Sequence, residues 1–170
     1  MHPKFAALTF ALALTTVSSF AQFTPPDPDW KELDSPAPPA FTLERLVPID
    51  VPRATLRYSV VPASVSLGAD RVVRYVVVAS SSSGAVNAMY EGIRCSTAEV
   101  KVYARHNQDS GWSKAPDAEW RPLHDALRAR HSLAIARTGA CIGHAPNRSP
   151  QEIVRDLRSP VDSRFNNESR

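Results

Sequence analysis

The chain has 170 residues with 43% hydrophobic and 22% charged side chains, proportions close to those of ordinary globular proteins. These values leave room for one domain of usual size and exclude fibrous, wholly disordered and multi-span membrane proteins. The formal net charge is +3, and because the arginines are interleaved with acidic residues along the chain, no nucleic-acid partner is expected.

The beginning of the chain has the pattern of an export signal. Lys4 precedes an apolar run from Phe5 to Phe20. The small residues Ser19 and Ala21 stand at the minus-three and minus-one positions of a signal-peptidase cleavage site. The run is shorter than the roughly 20 residues that span a bilayer. The sequence therefore predicts a signal peptide over 1–21, a periplasmic location and no membrane span after cleavage.

Residues 22–52 contain eight prolines and carry six acidic against two basic residues. So many prolines exclude a helix or a central strand. Trp30, Leu33 and Phe41 are too apolar for a freely moving linker. We therefore expect a Pro-rich extended arm, parts of which lie against the globular domain.

Residues 53–158 are predicted to form a single α+β domain, and its first half has the period-two pattern of strands. Strands are expected at 55–60, around Val65 and Leu67, at 72–80, at 86–94 and at 99–105. The 72–80 strand should be central because it is apolar on both faces except at Arg74. In the last strand, Val100, Val102 and Ala104 are expected to share a face, before a polar loop over 106–111. Short connections favour an antiparallel β-meander of about four to six strands.

The helical pattern comes last. Apolar residues recur at near-helical spacing after Pro122 and stop at Gly139, which predicts one amphipathic helix. Ser149, Pro150 and Glu152 form a capping box that begins a second, short helix through about Leu157. One or two C-terminal helices should pack on the sheet, and residues 159–170 are expected to be a disordered tail.

Cys95 and Cys141 are the two cysteines of the chain. In an oxidising compartment two such thiols are expected to pair as a disulfide. A catalytic thiol with His124 or His131 as its base is the sharper alternative, but an exported free thiol would tend to oxidise. The histidines show no paired spacing and are interpreted as scattered surface residues, so no metal and no cofactor are expected.

The residues from Val72 to Ala104 carry a resemblance to a known family. Arg74-Tyr75, Gly84-Ala85-x-Asn87, the box Tyr90–Cys95 and Lys101-x-Tyr103-Ala104 are the motifs concerned. Together they resemble the CNP-like family, named for a cryptic neisserial protein. The resemblance implies an exported bacterial envelope protein with no established active site to transfer. The chain differs from lipoprotein relatives because no cysteine lies near the predicted cleavage site.

The box from Tyr90 to Cys95 allows three interpretations. It can be a structural polar corner beside the disulfide, with Gly92 at a β-bulge and Glu91 and Arg94 paired with each other or with Arg74 and Glu99. It can also be a ligand groove lined by the four candidate binding residues Tyr90, Glu91, Arg94 and Tyr103. The third interpretation is an enzymatic site in which Glu91 acts as acid or base.

No catalytic motif stands in the sequence, so no residue is assigned as catalytic. The favoured function is a non-enzymatic periplasmic binding or structural module. Its expected partner is an envelope protein or an anionic envelope surface, contacted through the arm or the exposed face of the sheet. The alternative function is a small periplasmic enzyme that uses Glu91 and Arg94.

Overall fold

A computed structural model describes residues 27–125 and 129–159. The predicted signal peptide and the polar tail after Ser159 lie outside the described residues. Within them, the fold is the predicted α+β arrangement, in which an antiparallel sheet carries two C-terminal helices on one face. No helix in the described ranges is long and apolar enough to cross a membrane.

The described sheet has eight strands, all of whose pairings are antiparallel. Their bounds are β1 Val47–Ile49, β2 Arg57–Val60, β3 Ser66–Leu67, β4 Val72–Ser80, β5 Val86–Arg94, β6 Glu99–Asn107, β7 Gly111–Lys114 and β8 Arg121–Pro122. The order across the sheet is β1-β2-β4-β5-β6-β7, with β3 beside β4 and β8 beside β6. The predicted meander is confirmed, and β4 is an interior strand whose residues 72–79 are all buried.

The arm contributes one strand to this sheet. Val47 and Ile49 are buried and Pro48 between them is exposed, so this short segment alternates as an edge strand should. Strand β1 pairs with β2 in the register Val47 to Val60. The proline-rich segment is therefore extended but not free of regular pairing, because the edge of a sheet accepts a proline that its centre would reject.

The helical region differs from its prediction at the start. Arg121 and Pro122 form β8 against β6, and the backbone N–H of Leu123 continues this edge by donating to the carbonyl of Ala98 at 2.8 Å. Helix α1 spans Arg130–Ile135, and a π-helical turn follows over Ala136–Ala140. The prediction of a helix from Pro122 was wrong because the sheet edge takes up those backbone groups first.

Helix α2, Pro150–Arg158, begins as its capping box predicts, with the Ser149 hydroxyl accepting from the backbone N–H of Glu152 at 3.2 Å. It packs closely on the π-helical turn at Gly139, where an added Cβ would lie 2.8 Å from Cγ of Leu157. Between this turn and α2, a two-stranded hairpin forms from β9 Cys141–Ile142 and β10 Ala145–Pro146.

The sheet separates two apolar clusters. Odd-numbered residues of β4 face α1 and α2 in the main core, as Val73, Tyr75 and Val77 do. Even-numbered residues such as Val76 and Val78 face the opposite side, where Phe41 and Leu46 of the arm cover them. We call these two sides the helix face and the arm face.

A β-bulge changes which side β6 presents to each face. Tyr90 pairs with Ala104 but Glu91 pairs with Val102, so Tyr103 is the extra residue. Val100 consequently lies in the core on the helix face, while Ala104 lies on the arm face. The prediction that Val100, Val102 and Ala104 share a face was wrong, because a bulge reverses the side-chain alternation.

Candidate functional site

The structure divides the four candidate binding residues between the two faces. Tyr90 and Tyr103 lie on the arm face, with ring centroids 5.6 Å apart, and Arg94 lies there with them. Glu91 points to the helix face, where it is 1% exposed. The four side chains therefore do not line one groove, and Glu91 and Arg94 cannot contact one substrate together.

On the arm face, polar side chains of the sheet hold the arm in place. The Glu32 carboxylate accepts hydrogen bonds from Tyr103 Oη at 2.7 Å, Lys101 Nζ at 2.8 Å and Trp120 Nε1 at 3.1 Å. Burial by itself would raise the pKa of Glu32, but these bonds outweigh burial and lower it. Glu32 is thus a charged anchor that fastens the arm to β6.

Arg94 takes part in the same attachment. Its guanidinium lies 3.7 Å from the ring centroid of Trp30, and Trp30 packs edge-on against Trp120 at 5.9 Å. An ion pair between Arg94 and Glu99 at 3.9 Å agrees with one of the predicted pairings. The surface predicted to be an exposed binding face is, at this position, covered by the chain's own arm.

Arg74 does not pair with Glu91, as one predicted pairing required. It donates to both carboxylate oxygens of Asp70, at 3.0 Å and 2.6 Å, and Asp70 also accepts from the backbone N–H of Leu33. Burial would raise the pKa of Asp70, but these bonds lower it overall. The reason is side-chain direction, because Arg74 is on the arm face and Glu91 is on the other.

Gly92 has a packing role beside the bulge. A Cβ at this position would lie 2.8 Å from the Tyr103 ring and 2.8 Å from a methyl group of Val72. The predicted bulge is present, but its extra residue is Tyr103 on β6 and not a residue of the box. The absence of a side chain at Gly92 leaves room for the Tyr103 ring, whose hydroxyl donates to Glu32.

On the helix face, Glu91 is the centre of a buried hydrogen-bond network. Its Oε1 contacts His131 Nε2 at 2.9 Å, and its Oε2 accepts from Tyr75 Oη at 2.9 Å and Ser132 Oγ at 3.0 Å. The ring of Tyr58 stacks on His131 with centroids 4.7 Å apart and planes 6° apart. The network joins β4 and β5 to the first turn of α1.

The electrostatics of this network favour a charged pair. Burial would raise the pKa of Glu91, but the charge of His131 and the hydrogen bonds from His131, Tyr75 and Ser132 lower it. Burial would lower the pKa of His131, but the Glu91 carboxylate and its hydrogen bond raise it. Each partner therefore shifts the pKa of the other toward an ionised Glu91 and a protonated His131.

His131 was expected at the surface and is instead buried, at 7% exposure. The prediction was wrong because the helix places His131 on the same side as Ile135, one turn later, and that side faces the core. The spacing of these two residues was the signal that could have located it. Glu91 needed a partner on another element, which no local pattern indicates.

The network does not have the arrangement of a nucleophilic enzyme. Ser132 donates to Glu91 and not to His131, so the hydroxyl lacks the contact with an imidazole that activates a nucleophilic serine. A cavity of about 430 Å³ reaches Glu91 and Ser132 from the side of Asp117 and Arg121, which pair with each other at 2.9 Å. Both oxygens of Glu91 already accept hydrogen bonds where the carboxylate meets this cavity.

The disulfide expected between Cys95 and Cys141 is present, with Cα atoms 5.8 Å apart. It joins the end of β5 to the segment after the π-helical turn and closes the core beside Ile93 and Ala140. Neither sulfur is a free thiol, so the alternative of a catalytic cysteine with a histidine base is wrong. Within the ranges 27–125 and 129–159 no group of three or more metal-ligating side chains occurs.

A cleft that the sequence did not reveal lies between the β1 edge and the C-terminal helices. Its volume is about 790 Å³. Three stretches of chain line it. The first is residues 46–53 and the last is residues 156–159. The middle stretch contributes Arg130, Leu133, Ala134, Arg137 and Thr138. We call this cavity the β1–helix cleft. The first stretch lies more than 70 positions before the other two, and only tertiary packing brings it to them.

The charges around the β1–helix cleft are mainly positive. Arginines line it from all three stretches, namely Arg53, Arg130, Arg137 and Arg158, against the acids Asp50 and Asp156. Asp156 already accepts hydrogen bonds from Asn147 at 2.9 Å and Arg155 at 3.1 Å. The cleft therefore combines an aliphatic wall with a cationic rim.

Comparisons with known proteins identify one relationship. A sequence profile of the CNP1-like family matches residues 26–158, which include every strand and helix described above. Searches of curated proteins and of solved structures return no match. Since the profile covers most of the 170 residues, the chain belongs to the CNP1-like family.

Proposed function

We propose that this protein is an exported, non-enzymatic binding module of the bacterial periplasm that holds another envelope component in the β1–helix cleft. The observation that carries the proposal is the cleft itself, because about 790 Å³ falls within the usual range of small-molecule sites. The part of the sheet around Tyr103 and Arg94, which the sequence suggested as a binding surface, is covered by the chain's own arm.

Export is supported by the pattern of the first 21 residues and by the disulfide. The signal-like run ends at Ala21, and the Cys95–Cys141 bridge suits an oxidising compartment. Membership of the CNP1-like family is compatible with the same location. These observations support a mature protein that begins at Gln22.

Binding is favoured over catalysis by the state of the Glu91 network. A general acid or base needs a carboxyl group that can exchange a proton with a substrate. Both oxygens of Glu91 are committed to Tyr75, His131 and Ser132, and Arg94 lies on the opposite face of the sheet. The alternative of a small enzyme that uses Glu91 and Arg94 therefore has no shared site to act in.

The proposal is tested by blocking the cleft. Ala134 lines the cleft and is half-buried, so Ala134→Phe should fill part of the volume. Ala63 is exposed and does not line it, which makes Ala63→Phe a matched control. Wild-type, blocked and control proteins, each tagged and isolated from periplasm, are used to capture components of envelope extract. Capture should be lost in Ala134→Phe and retained in Ala63→Phe, with all three melting at similar temperatures.

Equal capture by the wild-type and blocked proteins would exclude the cleft as the binding site. Export is checked separately by intact mass under non-reducing conditions. The periplasmic protein should begin at Gln22 and lack the two hydrogens of a dithiol. An uncleaved chain in the cytoplasmic fraction, or two alkylatable thiols, would contradict export.

A further inference from the structure

We propose that the ligand of the β1–helix cleft is an anionic amphiphile, a single molecule with an aliphatic chain and a carboxylate or phosphate head. This inference rests on the proposed binding function and names the chemistry of its ligand. It follows from three properties of the cleft, which are its wall, its rim and the edge strand beside it.

The wall of the cleft is aliphatic. Val47, Ile49 and Leu157 are buried there, and Leu133 and Ala134 are half-buried beside them. Among the described residues that line the cleft there is no aromatic side chain. A flexible hydrocarbon chain gains from such a wall through the removal of apolar surface from water. A sugar ring or a nucleobase would find no aromatic ring to pack on.

The rim supplies the charge for a head group. Arg53 and Arg130 are exposed and adjacent, since Arg130 Nη1 contacts the backbone carbonyl of Arg53 at 3.4 Å. Arg158 is exposed at the end of α2 on the same cleft. A guanidinium donates two parallel hydrogen bonds to a carboxylate or phosphate, so this rim is complementary to either anion.

The edge strand argues against an added peptide strand as the occupant. Strand addition requires a run of free N–H and C=O groups along an edge. Strand β1 has three residues, and its middle residue, Pro48, has no N–H to donate. A ligand that relies on the side-chain wall and the arginine rim suits this edge better than one that relies on its backbone.

The test uses the mature protein, with dodecanoate as the probe ligand. Dodecanoate is kept below its critical micelle concentration. Isothermal titration should show binding of one dodecanoate per chain. Acetate, which has no chain, and dodecyl maltoside, which has no charge, should each bind at least about tenfold more weakly. An equal affinity for dodecyl maltoside would overturn the anionic head, and an equal affinity for acetate would overturn the aliphatic chain.

Variants then place the site. Arg53→Gln with Arg130→Gln should weaken dodecanoate binding about tenfold or more, because the charge-assisted hydrogen bonds are removed. Arg148 is exposed and does not line the cleft, so Arg148→Gln should bind as the wild type does. Ala134→Phe should abolish binding. Thermal melting of each variant confirms that it is folded.

The outcomes separate this inference from the function on which it rests. If Ala134→Phe abolishes capture from extract but dodecanoate does not bind the wild type, the cleft is a binding site and the ligand class proposed here is wrong. If neither capture nor dodecanoate binding depends on the cleft, both proposals fail. A dimer in sedimentation that Ala134→Phe dissociates would assign the cleft to a second copy of the chain and would likewise overturn the amphiphile.

Discussion

At the scale of single residues, Glu91 shows how the fold accommodates a charge in its interior. An ionised carboxylate loses a large hydration energy on burial and must recover it from hydrogen bonds and an opposite charge. Tyr75 and Ser132 supply hydroxyl donors and His131 supplies the charge. Because the donors come from β4 and α1, the network also specifies how the first helix sits on the sheet.

Replacing this carboxylate should be destabilising. Glu91→Gln keeps the shape and can still accept from a hydroxyl, but it leaves a buried His131 without its counter-charge. We expect the free energy of unfolding to fall by about 2 to 4 kcal/mol, as when one partner of a buried pair is removed. Urea denaturation measures this free energy of unfolding. Glu119 is exposed, and Glu119→Gln should change stability by less than about 0.5 kcal/mol. Equal stability of the two variants would contradict the network.

The same pair predicts how stability depends on pH. The pKa of His131 is raised above its usual value of 6.5, so its contribution is complete below pH 6.5 and is lost as the pH rises through the folded-state pKa. The pKa of Glu91 is lowered below its usual value of 4.5, so its contribution is present above pH 4.5 and is lost as the pH falls through the lower folded-state value.

Stability measured in urea should therefore decrease on the alkaline side of pH 6.5. His131→Gln should remove that decrease, because glutamine does not titrate. His124 is exposed, and His124→Gln should retain the wild-type profile. A wild-type profile that is flat above pH 6.5 would show that His131 is neutral in the folded protein.

At the scale of elements, the arm is attached at a few charged and aromatic points. Glu32 accepts three hydrogen bonds from β6 and the segment before β8, and the Trp30 ring lies against Arg94. Proline gives the arm a low conformational entropy when unfolded, so little is lost when it lies on the sheet. Few contacts can therefore hold a segment that has little regular hydrogen bonding of its own.

Glu32→Gln should loosen this attachment without unfolding the sheet. It removes the charge that Lys101 pairs with at 2.8 Å and weakens the bond from Tyr103, for a loss of about 1 to 2 kcal/mol. Hydrogen exchange should become faster at the backbone N–H of Leu33, which is bonded to Asp70. Glu44 is an exposed acid of the same arm, and Glu44→Gln should leave that exchange unchanged. No change in Glu32→Gln would mean that the Glu32 carboxylate is not needed to hold this part of the arm.

At the scale of the whole molecule, strand β4 belongs to both faces at once. Its residues are buried alternately under the helices and under the arm, so neither layer can lose its packing without exposing the same strand. A structure in which two layers share one buried strand is expected to unfold as a unit.

The tryptophans make this testable. All three, Trp30, Trp112 and Trp120, lie on the arm face, so their fluorescence reports that face, while far-ultraviolet circular dichroism includes the helices. The two signals should change together in wild-type urea denaturation. In Glu32→Gln the fluorescence transition should move to lower urea ahead of the dichroism. Separate transitions in the wild type would contradict a single cooperative unit.

Much of this protein could be predicted from local patterns in its sequence. A run that is apolar on both faces located β4 at its observed bounds, and the strand pattern that follows it located β5. The capping box located α2, and the two cysteines indicated the disulfide. Each of these features depends on residues that are near one another in the chain or, for the cysteines, on there being a single possible pair. Local propensity and side-chain period therefore suffice for them.

Tertiary structure decided what the candidate site contains. The bulge at Tyr103, the strand at Pro122 and the separation of Glu91 from Arg94 all depend on which strand lies opposite and in which register. The β1–helix cleft depends on three distant stretches that meet only after the helices pack on the sheet. Pairing and packing between distant residues are settled by the free energy of the whole fold, because many local arrangements are compatible with the same short pattern.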